Sequence, residues 1–153
     1  MSAIESKLQE LGITLPDAPA PAANYVPFVI TGNTVYISGQ ISQNDAGLIA
    51  GKLGDGLSVE QGAEAAKTCA ISLLAQAKAA CGGDLGRIKR LVKLVGFVNS
   101  TPDFTDQPKV INGASDFMVE VMGDAGRHAR SAVSAASLPL GVAVEIEAIF
   151  EIA

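Results

Sequence analysis

Arg130 opens the run Arg130-Ser131-Ala132-Val133-Ser134-Ala135-Ala136-Ser137-Leu138-Pro139, and an alternating segment follows from Val142 to Ile152. Every even position of that segment, from Val142 through Val144, Ile146, Ala148 and Phe150 to Ile152, is apolar. Side chains alternate along a strand, so Glu145, Glu147 and Glu151 share the opposite face. A guanidinium is a permanent cation whose planar fork grips a carboxylate through two parallel hydrogen bonds, a geometry lysine cannot copy. A guanidinium leading into one strand, with carboxylates on the next, can converge on a small anionic substrate. Alternation alone leaves Glu145 and Glu147 equivalent, and an Arg in such a place can equally serve a salt bridge.

Other reactive side chains are sparse. His128 is the single histidine of the chain, so no His-rich metal site can form, and no Cys/His cluster has ligand spacing. It reads as a loop residue near the mouth of any pocket at Arg130. Ser131 lacks a nucleophile-elbow sequence, and the glycine-rich stretch 51–56 lacks the Lys-Ser/Thr that a phosphate loop needs. Cys69 and Cys81 fall about 18 Å apart along one predicted helix, too far to pair, and read as small buried apolar residues. No metal and no organic cofactor is expected.

The elements that must hold Arg130 and Glu145 can be read from periodicity. Ser2 to Leu11 predicts a short amphipathic helix capped by Ser2, ended at Gly12 and followed by the Pro-rich connector 15–21. Val26–Ile30 and Thr34–Ser38 flank Thr31-Gly32-Asn33 and predict a hairpin. Residues 40–56 read as a loop with a short strand near Leu48-Ile49-Ala50. Ser58 and Gln61 form a capping box for an Ala-rich helix reaching about Ala80, whose narrow face holds Ala63, Ala66, Ala70, Leu73, Leu74 and Ala77. Ile88–Val98 predicts a strand of mixed alternation, Pro108 to about Met122 a second helix, and Gly123 and Gly126 its end. The order is β-β-(β)-α-β-α-β-β: an α+β sheet with two helices on one face. Residues 1–24 form a helix and connector, and 25–153 the main domain.

Composition bounds the function. The 153 residues suit one principal core, at 48% hydrophobic and 18% charged. A mean hydropathy of +0.32 hints at self-association. Net charge is −5, and Arg87, Lys89, Arg90 and Lys93 read as a solvated strand edge, so nucleic acid is not an expected partner. No apolar run reaches the roughly 18 residues of a membrane span, and no secretory signal is visible, so a reduced, cytoplasmic protein is expected.

The R-S-x-V-x-x-x-x-L-P block followed by V-E-I-E-A-I resembles the C-terminal signature of the RidA/YjgF family of imine deaminases, also labelled endoribonuclease L-PSP or translation initiation inhibitors. Tyr25-Val26, Ser38-Gly39-Gln40, Gly83-Asp84-Leu85 and Val110-Ile111-Asn112 match in the same order, so the resemblance runs from Tyr25 to the end. It implies a chorismate-mutase-like fold in which three subunits pack their sheets into a central barrel, with clefts between neighbours. It also implies hydrolysis of 2-imino or enamine acids to 2-oxoacids and ammonia, with Arg130 as carboxylate clamp and Glu145, rather than Glu147, beside the attacking water. Tyr25, Ser38, Gly39, Asn112 and Ala132 would line the cleft. Ala132 stands where these deaminases commonly carry cysteine, the loop 99–109 is longer, and the N-terminal helix and connector are additions. Two rivals stay open: a non-catalytic trimeric carboxylate binder or chaperone-like regulator, which the missing thiol favours, and a ribonuclease or translation inhibitor, which the acidic charge opposes.

Overall fold

The computed structural model describes residues 1–18 and 24–153. The last three residues of the connector read as 15–21 therefore lie outside the described residues. Helix α1 (Ala3–Glu10) is capped by the Ser2 hydroxyl, which accepts from the Glu5 N–H at 3.2 Å, and buries Ile4 and Leu8. It packs against the helix that follows the third sheet strand, so α1 shares the one core.

The main sheet has strands β1 (Phe28–Thr31), β2 (Thr34–Ile41), β3 (Ile88–Asn99), β4 (Ala129–Ala135) and β5 (Val144–Ile152), in the order β1-β2-β5-β3-β4. All neighbours run antiparallel except β3 and β4. A parallel pair needs a crossover, and α3 (Gln107–Met122) supplies it, with Pro108 in its first turn. Helix α2 (Val59–Ala80) begins at the Ser58/Gln61 capping box and lies over β2 and β5, while α3 lies over β3 and β4. Instead of one short strand, residues 43–57 form two small ribbons, Gln43–Asn44 with Gly47–Leu48 and Lys52–Leu53 with Gly56–Leu57.

The even positions of β5 are buried under the helices together with Val35, Ile37, Leu94 and Val98. Against them pack Leu73 and Leu74 of α2 and Val110, Ile111 and Met118 of α3. The mixed alternation of β3 has a physical cause. Its pairing with β5 slips between Ile88 and Arg90 and again between Leu91 and Lys93, so Leu91 and Leu94 both reach the core. Lys89 and Arg90 are both exposed, as a solvated stretch should be, but β3 lies inside the sheet between β5 and β4 and is not an edge.

Among the described residues no helix covers the opposite face of the sheet. Val29, Tyr36 and Val133 are exposed there, and Val95, Phe97 and Ile149 are half-buried. Small residues set how closely α3 approaches the covered face. Ile111 fills the space above Gly96 on β3, whose strand neighbours are Ala132 and Ile146. At Gly113, α3 abuts the backbone of Ala63 in α2, and a methyl group there would overlap the Ala63 carbonyl.

Candidate active site

Arg130 lies at the start of edge strand β4, in register with core residue Leu94, so its side chain is on the helix-covered face. Three neutral oxygens on α3 hold it. Nη1 donates to Asn112 Oδ1 at 2.8 Å and to Ser115 Oγ at 3.1 Å, and Nη2 donates to the Pro108 carbonyl at 3.3 Å. Asn112 and Ser115 are three apart and so share one face of the helix. Among the described residues no carboxylate pairs with Arg130. Of its five N–H groups, the Nε–H and one Nη2–H remain, the two nitrogens that a carboxylate spans side-on. Ala132, two residues on, shares this face and packs against the core.

His128 lies in the loop just before β4, as expected, and is tied there to α3. It is half-buried, with Nδ1 2.6 Å from the Gly126 carbonyl and Nε2 2.9 Å from Ser115 Oγ. Ser115 thus joins Arg130 to His128. Periodicity alone missed this serine, although its i+3 spacing from Asn112 was a usable signal.

Glu145 belongs to a second cluster. Its pairing with Phe97 and Ile41 puts it on the uncovered face. The pairing of β2 with β5 shifts between Ile37 and Gln40, leaving Ser38 and Gly39 together opposite Glu147. The Glu145 carboxylate lies directly over Gly39, where any side chain would collide with it. Ser38 ties this bulge to the segment carrying Tyr25: its N–H donates to the Pro27 carbonyl at 2.9 Å and its hydroxyl to the Val26 carbonyl at 3.2 Å. Tyr25 itself is exposed. Burial first, and the neighbouring Glu147 charge second, push the Glu145 carboxyl above its ordinary range. Glu147, two residues on, is exposed. The structure therefore distinguishes two carboxylates that alternation left equivalent.

The expected convergence of Arg130 and Glu145 does not occur within one chain. Strand β3 separates β4 from β5, and the two side chains lie on opposite faces of the sheet. The chain carries two clusters instead: Arg130, Asn112 and Ala132 on one face, and Tyr25, Ser38, Gly39 and Glu145 on the other.

Neither cysteine is poised for chemistry. Burial pushes the Cys69 thiol far up, and raises that of Cys81 as well. Among the described residues no three His, Cys, Asp or Glu side chains stand together as metal ligands. No described helix is long and apolar enough to cross a membrane. A groove of about 780 Å³ between residues 13–17 and α2 is lined by Ile13, Leu15, Asp45 and Thr68, among others, and includes no member of either cluster.

This fold defines a class. Residues 5–151 match the family model described as "YjgF/chorismate_mutase-like, putative endoribonuclease", so the chain belongs to the RidA/YjgF family and has its mixed α+β, chorismate-mutase-like fold. It is 50% identical over 151 residues to Protein TCP17 of Trypanosoma cruzi, covering 97% of this chain and 94% of that one. The crystal structure of Atu1372 from Agrobacterium tumefaciens, whose function is unknown, is similar with a TM-score of 0.92 and 50% identity, over 99% of this chain and 93% of that one. RidA from the Antarctic bacterium Psychrobacter sp. is similar with a TM-score of 0.60 and 31% identity, over 89% of this chain and 94% of that one. The family match includes most of α1, which packs on the common core.

Proposed function

We propose that this protein hydrolyses reactive 2-imino acids, or their enamine tautomers, to 2-oxoacids and ammonia without a cofactor. Its site would form where Arg130 of one copy meets Glu145 of a neighbour in a homotrimer whose sheets enclose a central barrel. The observation that carries the reading is the guanidinium of Arg130. It is fixed by three neutral oxygens, lacks a carboxylate partner among the described residues, and retains two N–H groups for an incoming carboxylate. The likeness to RidA supports the same reaction class.

In this reading Arg130 holds the substrate carboxylate and so fixes the adjacent imine carbon. Water adds to that carbon as Glu145 takes one of its protons, and Glu145 returns that proton to the imine nitrogen as the C=N double bond becomes single. The hydroxyl proton of the resulting carbinolamine then passes to nitrogen, the C–N bond breaks, and ammonia and a 2-oxoacid leave. A carboxyl whose proton affinity is raised by burial suits both halves of this exchange. Tyr25, Ser38, Gly39, Asn112 and Ala132 would line the cleft. A soluble cytoplasmic setting, with neither nucleic acid nor membrane as partner, fits this use.

Generating 2-imino acids in place from several L-amino acids with an amino-acid oxidase, and following oxoacid release, tests the proposal. Acceleration by the protein beyond spontaneous hydrolysis is expected, and release unchanged by its addition would overturn it. Ala132, which offers no thiol to a ligand, favours one alternative: a trimeric carboxylate binder or chaperone-like regulator without turnover. That reading predicts 2-oxoacid binding with no acceleration. Against the ribonuclease named in the family description stand the net charge of −5 and the single histidine.

A further inference from the structure

We infer that His128 is a positioning residue for the Arg130 clamp and acts on it through Ser115. The inference rests on reading Arg130 as a carboxylate clamp. It begins with a carbonyl oxygen, which can only accept. His128 Nδ1 lies 2.6 Å from the Gly126 carbonyl, so Nδ1 carries the ring hydrogen. In the neutral ring Nε2 is then an acceptor, and the Ser115 hydroxyl, 2.9 Å away, donates to it. That orientation turns the Ser115 lone pairs toward Arg130 Nη1, which donates to them at 3.1 Å.

The result is a directional chain: Arg130 Nη1–H to Ser115 Oγ, Ser115 O–H to His128 Nε2, and His128 Nδ1–H to Gly126 O. Hydrogen bonds aligned this way polarise one another. Both ends are anchored. Ser115 belongs to α3, and Gly126 lies so close to the Met118 carbonyl of that helix that a methyl group could not be accommodated.

The consequence for the site concerns the plane of the guanidinium. Ser115 and Asn112 occupy the two hydrogens of Nη1 and fix that plane, leaving Nε–H and the remaining Nη2–H set for a ligand. Without an acceptor at His128 Nε2, the serine hydroxyl is free to turn its hydrogen toward Nη1, which loosens the clamp. Carboxylate binding is then weakened alike in the ground state and the transition state. Such a loss raises KM and leaves kcat nearly unchanged.

The test uses the full-length protein, with 2-oxobutanoate as the binding probe in calorimetry and the coupled imine assay for turnover. His128→Leu and Ser115→Ala should each weaken 2-oxobutanoate binding about tenfold, the scale of one charge-assisted hydrogen bond, with kcat within about twofold of the parent. The double variant should bind no worse than either single one, because both changes break the same chain. His128→Gln, whose amide oxygen can take the place of Nε2, should restore most of the affinity. Parent-like binding by a folded His128→Leu, or failure of His128→Gln to recover, would overturn the inference. Should His128→Leu fail to fold, ¹⁵N chemical shifts of the parent decide: a protonated Nδ1 with an unprotonated Nε2 supports the chain, and the reverse tautomer sinks it. Arg130→Ala separates the two layers of the proposal. If it binds 2-oxobutanoate normally, the clamp itself is wrong, whereas normal binding by the His128 variants beside a defective Arg130→Ala condemns only the relay.

Discussion

At Arg130 the chemistry depends on a fork more than on a charge. Two N–H groups remain once α3 has taken the other three, and an ammonium cannot reproduce that spacing. Arg130→Ala should lower imine hydrolysis by about 10²-fold or more, and Arg130→Lys should recover little of it, as read from initial rates of oxoacid release. Activity of Arg130→Ala within a few-fold of the parent would remove the clamp from the mechanism. Glu145 makes a prediction about stability as well as rate. Burial, then the Glu147 charge, raises its proton affinity in the fold above that in the unfolded chain. Its contribution to stability is therefore full below the ordinary carboxylate pKa and is lost as pH rises through the raised value. Glu145→Gln removes that loss, so thermal melts should show the variant more stable than the parent at pH 7 and equal to it below about pH 4. Its turnover should fall sharply while 2-oxoacid affinity, set mainly by Arg130, holds. Glu147→Gln should leave turnover within a few-fold and shift the acid limb of the pH–rate profile downward, because removing a like charge lets Glu145 ionise more easily. The reverse pattern between the two glutamates would mean that Glu147 is the working carboxylate.

At the scale of elements, the site depends on where backbone approaches closely. The bulge at Ser38-Gly39 presents main chain, not a side chain, to Glu145. Gly39→Ala should therefore push the Glu145 carboxylate aside and depress turnover, with the circular dichroism spectrum unchanged. Gly39→Ala combined with Glu145→Ala should be no slower than Glu145→Ala alone, since nothing is left to displace. Independent, multiplying losses would show that Gly39 serves something other than Glu145. Gly113→Ala is a harsher test, because its methyl group would meet the Ala63 carbonyl and neither helix backbone can give way as a side-chain tip can. A destabilisation of about 1–3 kcal/mol by chemical denaturation is expected. Much of this architecture was legible beforehand: the capping box at Ser58 and Gln61 and the glycine stops at Gly12 and Gly123 are local signals that mark real helix ends, and the even apolar positions mark the buried face of β5, which begins at Val144 and not at Val142. What stayed hidden is non-local. The slips in β3 that expose both Lys89 and Arg90 depend on its pairing with β5. The link from Ser115 to His128 crosses from helix to strand entry. The opposite faces of Arg130 and Glu145 follow from the registers that β3 makes with its two neighbours, Leu94 beside Arg130 and Phe97 beside Glu145, which no window of sequence contains.

The whole molecule presents the Arg130 and Glu145 clusters on opposite faces of one sheet, and the proposed reaction therefore requires an assembly. Within one chain the Arg130 guanidinium, which has no carboxylate partner among the described residues, and the half-buried Glu145 carboxylate cannot share a ligand, because the sheet lies between them. Among the described residues no helix covers one face of the sheet, where Tyr36, Val29 and Val133 are exposed beside Phe97 and Ile149. Apolar side chains in that setting are stabilised by burial against another surface, and under the proposed reading a closed ring of identical copies would provide one while bringing each Arg130 toward a neighbour's Glu145. Sedimentation equilibrium should give three times the 15.6 kDa chain mass. Mixing makes the sharper test. Arg130→Ala and Glu145→Gln are each expected to be nearly inactive as pure assemblies. If the site is shared, a mixed ring contains interfaces where the intact Arg130 of the Glu145→Gln chain faces the intact Glu145 of the Arg130→Ala chain. Random reassembly of equal amounts creates such an interface at about a quarter of positions in a closed homomeric ring. Activity should therefore rise from near zero to about a quarter of the parent's after the two variants are dissociated and reassembled together, and stay near zero if they are merely mixed without subunit exchange. A site built within one chain forbids any such recovery, since every chain in the mixture lacks one of the two groups. Persistent inactivity in assemblies shown by mass spectrometry to contain both chains would exclude the shared site.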